Sequence, residues 1–139
     1  MHETYDEHCL YFAANTLARK ISKLADEAFV PVGIPASYAY LLIYIQGNPS
    51  ALQSELADGM HLKPSTITRF VDKLVNADLI VRKKEGRVVT VSLTNKGEEV
   101  IPKITSALKN LHDHYCELLG EAAALKLIQG VYQANNKLE

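Results

Sequence analysis

The sequence predicts a mainly α-helical fold that carries one small β-hairpin between its fourth and fifth helices. Apolar residues recur at three-and-four spacing through residues 7–77 and again through 95–138, the mark of helices with one buried face. Only between Leu79 and Leu93 does the pattern turn to runs rich in Val, Ile and Thr, the mark of extended chain. Pro and Gly stand at the intervals where helices begin and end.

Residues from about 7 to 30 place Cys9, Phe12, Ala13, Leu17, Ile21, Leu24 and Ala28 along one helix face. Pro31, Gly33 and Pro35 interrupt that helix. Pro35 pre-sets the first turn of a second, whose inward face is Tyr38, Leu41, Leu42 and Ile45 and which ends at Gly47, Asn48 and Pro49. Ser50 and Gln53 have the spacing of a capping box and open a short helix with Leu52, Leu56 and Ala57, which stops at Gly59. Pro64 starts the next helix, which buries Ile67, Phe70, Val71 and Leu74 and runs to about Ala77. Two short helices across a tight Gly-containing turn form a helix-turn-helix over about 50–77.

The runs Leu79–Lys84 and Val88–Leu93, joined through Glu85 and Gly86, form a hairpin over about 79–93 with a basic tip. Thr94 caps a long helix from Asn95 to Leu119, with Val100, Ile101, Ile104, Leu108, Leu111, Tyr115 and Leu118 on one side and a kink expected at Pro102. Gly120 separates it from a last helix with Leu125, Ile128, Val131 and Tyr132. The order is α-α-α-α-β-β-α-α. At 139 residues the chain is read as a single domain, 1–139.

With 47% hydrophobic and 22% charged residues the chain has the balance of a folded globular protein, not a disordered one. No apolar run approaches the roughly 20 residues that cross a bilayer, and the N-terminus is acidic, so the protein is read as cytoplasmic with no membrane partner. Two cysteines make no disulfide framework and no C-x-x-C metal site. His112 and His114 are two apart on a helix and diverge, so no metal is expected there. No Ser-His-Asp, phosphate-loop or dinucleotide motif is legible, and the chain is expected to be no enzyme and to need no cofactor. A nucleophilic Cys9 would need a base, and its neighbour His8 points about 100° away on a helix.

The net charge of −1 hides an uneven distribution. Lys63, Arg69, Lys73, Arg82, Lys83, Lys84 and Arg87 face only Asp72, Asp78 and Glu85 in the same stretch, so one segment is basic and the rest acidic. On the helix that begins at Pro64, the buried stripe leaves Ser65, Thr66, Thr68, Arg69, Asp72, Lys73 and Asn76 outside. Short hydroxyls and an arginine there can reach base edges in a major groove, and the helix N-terminus favours a phosphate. The hairpin cations Arg82, Lys83, Lys84 and Arg87 would stand beside the same duplex. A winged helix that binds an acidic protein would share this charge but would show no sequence-dependent affinity for DNA.

The run "LKPSTITRFVDKLVNADLIVRKK" followed by "VVTVSLTNKG" resembles the recognition helix, wing and "LT-x-x-G" helix start of the MarR family of winged helix-turn-helix transcriptional regulators. The resemblance implies an obligate homodimer held by long dimerisation helices, here about 7–30 and 95–138. It implies a repressor that binds double-stranded pseudo-palindromic operator DNA and is released by a small ligand or oxidant. Ser65, Thr66, Thr68 and Arg69 match the DNA-reading positions, and Arg87 matches the wing arginine. The wing tip departs from the family, with Glu85-Gly86-Arg87 in place of a longer Asp-Arg-Arg loop. Three residues are candidates for an effector or redox role. Cys9 resembles the sensing cysteine of the peroxide-responsive branch, although Lys23 and Ile34 stand where that branch has tyrosines. Cys116 would be its resolving partner. Tyr38, by its phenol, could orient an aromatic or phenolic ligand.

Overall fold

A computed structural model describes residues 5–138. Its elements are α1 (Tyr5–His8), α2 (Leu10–Ala28), α3 (Ala36–Gly47), β1 (Ala51–Leu52), α4 (Gln53–Gly59), α5 (Pro64–Asn76), β2 (Ile80–Glu85), β3 (Val88–Leu93), α6 (Asn95–Leu119) and α7 (Glu121–Lys137). They fall into two compact units, residues 5–28 with 107–138 and residues 29–106. Helix α6 runs through the boundary.

The central unit holds most of the core. Leu41, Leu42, Ile45, Leu56, Ile67, Val71, Ile80 and Val91 are each at most 1% exposed. Burying an aliphatic side chain of this size contributes about 1.5–3 kcal/mol, so these residues dominate the unit's stability. The inward face expected for α3 is buried at Leu41, Leu42 and Ile45, while Tyr38 is half-buried and Ala39, unforeseen, is fully enclosed.

The antiparallel sheet has three strands in the order β1-β3-β2, one more than the sequence predicts. Ala51 and Leu52 pair with Val91 and Thr90, and α4 begins at Gln53. Ser50 therefore does not cap a helix. It sits at φ +59°, and the residue at the N-cap is Leu52, with extended backbone and no side-chain cap bond. A serine cap is worth about 1 kcal/mol. Pairing with β3 satisfies several backbone groups and buries Ala51, and that outweighs it.

In the hairpin Glu85 pairs with Val88, leaving Gly86 and Arg87 as a two-residue loop. Gly86 takes the positive φ, +61°, that the first loop position of a tight turn needs. The loop thus lies one residue later than the sequence suggests, and Arg87 is at its tip. At the other end of the wing, Thr94 Oγ1 accepts a hydrogen bond from Gly97 N–H at 3.0 Å and donates to the Asp78 carbonyl at 2.5 Å, which makes the expected cap of α6. A side chain at Gly97 would meet the Leu79 carbonyl oxygen at 2.1 Å, so the start of α6 can lie against the segment just before β2 only with glycine there.

The other unit contains α1, α2, the C-terminal part of α6, and α7. The first helix comes in two pieces, with Cys9 between them, and ends at Ala28 instead of 30. Pro31 disfavours helix at the residue before it, and Phe29 O instead accepts the turn N–H groups of Val32 and Gly33 at 3.0 and 3.3 Å. Ala107, Leu111 and Ala124 are buried, but Leu10, Tyr11, Phe12, Leu118, Leu125 and Tyr132 are 41–79% exposed. The expected apolar stripes are present: Leu111 is buried within the chain, while Phe12, Leu118, Leu125 and Tyr132 stay open to solvent. On the outer face of α6, Lys109 bonds Asp113 at 2.7 Å; this holds the Asp113 carboxyl below its ordinary range and the Lys109 ammonium above its own.

Candidate nucleic-acid interface

Helix α5 opens at Pro64, whose ring suits the first helical position, and the preceding Lys63 makes no side-chain cap bond. The N–H groups of the first turn are thus left open to an anion. The buried line Ile67, Val71 and Leu74 fixes which side faces the core. Ser65, Thr68, Arg69, Asp72 and Lys73 are on the exposed side and Thr66 is half-buried. Phe70 lies between the two faces, its ring 4.3 Å from that of Tyr38, and Lys73 Nζ stands 5.7 Å above the Tyr38 ring. Tyr38 therefore supports the helix from behind and spends its ring face on Phe70 and Lys73.

The outward residues do not all stand free. Arg82 of β2 ion-pairs with Asp72 of α5, and its Nε donates to Gln53 Oε1 at 3.2 Å. The Gln53 amide donates to Thr68 Oγ1 at 3.2 Å, and Thr68 Oγ1 donates to the Pro64 carbonyl at 3.0 Å. This chain of side chains links α4, α5 and the wing, and it occupies two residues, Thr68 and Arg82, that the sequence offered as contacts for DNA. Lys83 lies 3.2 Å from Glu85, a pair with both side chains more than 70% exposed. Arg69, Lys84 and Arg87 have no ion-pair partner among the described residues and are exposed. One side of the central unit thus carries a free guanidinium on α5, two free cations on the wing and an uncapped helix start. Such an arrangement can grip phosphates at several points while Arg69 reaches into a groove.

Gln53 and Asp72 were not singled out by sequence reasoning as partners of the wing. Asp72 and Arg82 are ten residues apart and Gln53 and Arg82 twenty-nine, on elements that only the fold brings together.

The effector candidates are dispersed. Cys9 is half-buried in the break between α1 and α2, and both cysteines are free thiols. Tyr38 belongs to the central unit, Cys9 and Cys116 to the other. Cys116 lies one turn beyond His112, with Sγ 3.5 Å from Nε2, and His112 Nδ1 is hydrogen-bonded to the Tyr115 hydroxyl at 2.8 Å. The sequence carries a signal for this group, the i, i+3, i+4 spacing of 112, 115 and 116, which pairing His112 with His114 obscures. Among the described residues no cluster of three or more metal-ligating side chains is present, and no helix is long and apolar enough to cross a membrane.

The sequence profile of the MarR family matches residues 32–87. The HTH-type transcriptional repressor MdtR of Bacillus subtilis (strain 168) is 27% identical over 120 residues, covering 84% of this chain and 77% of MdtR. The transcriptional repressor CouR of Rhodococcus jostii RHA1, solved bound to a 23-mer DNA duplex, superposes with a TM-score of 0.88 at 19% identity, covering 97% of this chain and 98% of that one. A mutant MarR from E. coli complexed with operator DNA superposes with a TM-score of 0.83 at 21% identity, covering 99% and 100%. At these identities the solved structures establish the fold.

Proposed function

The chain is a MarR-family winged-helix protein, and from that premise we propose that it is a homodimeric transcriptional repressor that binds pseudo-palindromic double-stranded DNA and acts in the cytoplasm. The observation that carries the reading is the trio of exposed cations, Arg69, Lys84 and Arg87, without an ion-pair partner among the described residues, on the side of the central unit where α5 opens without a cap. In this reading Arg69, with Ser65 and Thr66 beside it, reads base edges in the major groove. Lys73, Lys83 and Lys84 meet phosphates, and Arg87 at the tip of the short wing approaches the minor groove. Arg82 and Thr68 act differently from the others: they hold α5, α4 and the wing in register, so that the reading residues arrive together.

The exposed apolar side chains of α2, α6 and α7 support dimerisation. Leu10 and Tyr11 are 75% and 79% exposed and Leu118 and Leu125 63% and 55%, large apolar side chains whose burial a second copy would supply. A second copy, related by a two-fold axis, covers such a face with its own equivalent. The protein is proposed to act as a regulator without catalysis, released from DNA by a small aromatic or phenolic ligand or by an oxidant.

Fluorescence anisotropy on an inverted-repeat duplex selected by the protein and on a scrambled duplex of the same length tests the reading. The expected result is an affinity ratio of about a thousandfold or more, with log K falling steeply against log salt for both duplexes. Equal affinity for the two would leave only a charged surface.

A further inference from the structure

We propose that Thr68, held by Gln53, selects for an exocyclic amino group on a DNA base, adenine or cytosine in place of guanine or thymine, because its hydroxyl is left able to accept a hydrogen bond and unable to donate one. The inference rests on the DNA-binding reading above and deepens it. A run of hydrogen bonds passes from Arg82 through Gln53 and Thr68 to the Pro64 carbonyl, and chemistry fixes its direction. A guanidinium holds donors and no acceptor, so the part of Gln53 that faces Arg82 Nε at 3.2 Å is the carboxamide oxygen. The planar amide then turns its NH2 to Thr68 Oγ1, also at 3.2 Å, and Oγ1 accepts. The hydroxyl proton goes to the Pro64 carbonyl, 3.0 Å away, which can only accept. The ion pair with Asp72 holds the guanidinium at the head of the run.

A hydroxyl has one proton and two lone pairs. In Thr68 the proton and one lone pair are engaged within the protein, and a single lone pair remains, at a residue on the exposed side of α5. A hydroxyl that donates is also the better acceptor, since successive hydrogen bonds polarise one another. In the major groove guanine N7 and O6, adenine N7 and thymine O4 are all acceptors, as are the phosphate oxygens, and none of them has a proton to give Thr68. The amino groups of adenine and cytosine do. Ser65 and Thr66 differ, because their hydroxyls have no partner among the described residues and are able to turn and either donate or accept.

Gln53 imposes the restriction. It is the first residue of α4, fifteen positions before Thr68 in the chain, and it reaches α5 only because the fold sets the two helix starts side by side. Its amide proton pins Oγ1 in the rotamer that donates to Pro64; without it the hydroxyl is free to turn and offer its proton to the duplex. Gln53 thus acts through Thr68, as a positioning residue on a helix that need not itself enter the groove.

The test takes the duplex that the full-length wild type selects from random sequence. Each adenine or cytosine of one half-site is replaced singly by its analogue without the exocyclic amino group, purine for adenine and pyrimidin-2-one for cytosine, and affinity is read by fluorescence anisotropy. Thr68→Val keeps the shape of the side chain and lacks its oxygen, so its response subtracts what the analogue costs in base pairing alone. One position is expected at which the wild type loses about three- to tenfold more than Thr68→Val does, with Thr68→Ser, which keeps the hydroxyl, losing as the wild type does. Gln53→Leu should take guanine or thymine at that position with a penalty at least about threefold smaller than the wild type's, its affinity for a scrambled duplex staying within about twofold. The assignment is overturned if no position shows this pattern, if Thr68→Val keeps the wild-type base preference throughout, or if it weakens selected and scrambled duplexes alike. A base preference unchanged in Gln53→Leu overturns the role of Gln53. If the wild type enriches no sequence, it is the DNA-binding reading that has failed, and the assignment falls with it.

Discussion

Arg82 of the wing is ion-paired with Asp72 of the helix that begins at Pro64, so the two elements that would touch DNA are fastened to each other before any DNA arrives. Both side chains are partly exposed, at 32% and 53%, and solvent screens the pair, which limits it to about 0.5–1 kcal/mol. Removing Arg82 also strands the Gln53 carbonyl oxygen, itself bonded at 3.2 Å. Arg82→Ala is therefore expected to cost about 1 kcal/mol in urea unfolding, and a double-mutant cycle with Asp72→Ala should return a coupling of about 0.5 kcal/mol or more. A coupling of zero would mean that the contact does not hold the wing in solution.

Arg69 and Lys84 should fail in different ways. Arg69→Ala is expected to lose about 1–3 kcal/mol of discrimination between selected and scrambled duplexes, because in the proposed reading its guanidinium, on the outward face of this helix, bonds a base edge. Lys84→Ala should weaken both duplexes alike and lower the salt slope by about one, as a phosphate contact does. Equal losses on both duplexes for both variants would remove the distinction.

Two glycines should respond with opposite signs. At Gly97 an added methyl meets the Leu79 carbonyl oxygen at 2.1 Å, and relieving that overlap means shifting α6 off the wing. Gly97→Ala is expected to destabilise by about 1–3 kcal/mol. Gly130 lies inside α7 with nothing within 4 Å of the same methyl, so Gly130→Ala should stabilise by about 0.5–1 kcal/mol through helix propensity. Thermal unfolding of the two variants reads both signs.

Leu118 and Leu125, 63% and 55% exposed, should matter to assembly and little to the folding of the central unit. Light scattering at micromolar concentration is expected to give twice the 15.4 kDa chain mass for the wild type and a large monomer fraction for Leu118→Glu/Leu125→Glu. A wild type of monomer mass would remove the dimer from the account.

Much of this fold is written in local pattern. The three-and-four spacing of Leu41, Leu42 and Ile45 and of Ile67, Val71 and Leu74 marks which sides of two helices are buried, and Thr94 with Gly97 marks the start of another. What escaped the sequence is long-range. Ala51 and Leu52 become a strand only because β3 is there to pair with them, and no local property of Ser50 or Gln53 foretells it. The candidate site divides the same way. The exposed side of α5 follows from its period, but whether a cation is free or engaged depends on partners ten to twenty-nine residues away, which is why Arg82 reads as a phosphate contact in sequence and as a brace in the structure. The stripes of Leu118, Leu125 and Tyr132 were legible as apolar, yet only the fold leaves them uncovered.

The measurement that tests the central claim most directly is selection of bound sequences from a pool of random duplexes by the purified protein. A two-fold dimer that presents one recognition helix per subunit predicts an enriched inverted repeat whose half-site centres lie about one helical turn apart, with Arg69→Ala losing the enrichment. A pool that remains random after repeated rounds, or one enriched in a motif without two-fold symmetry, would contradict it.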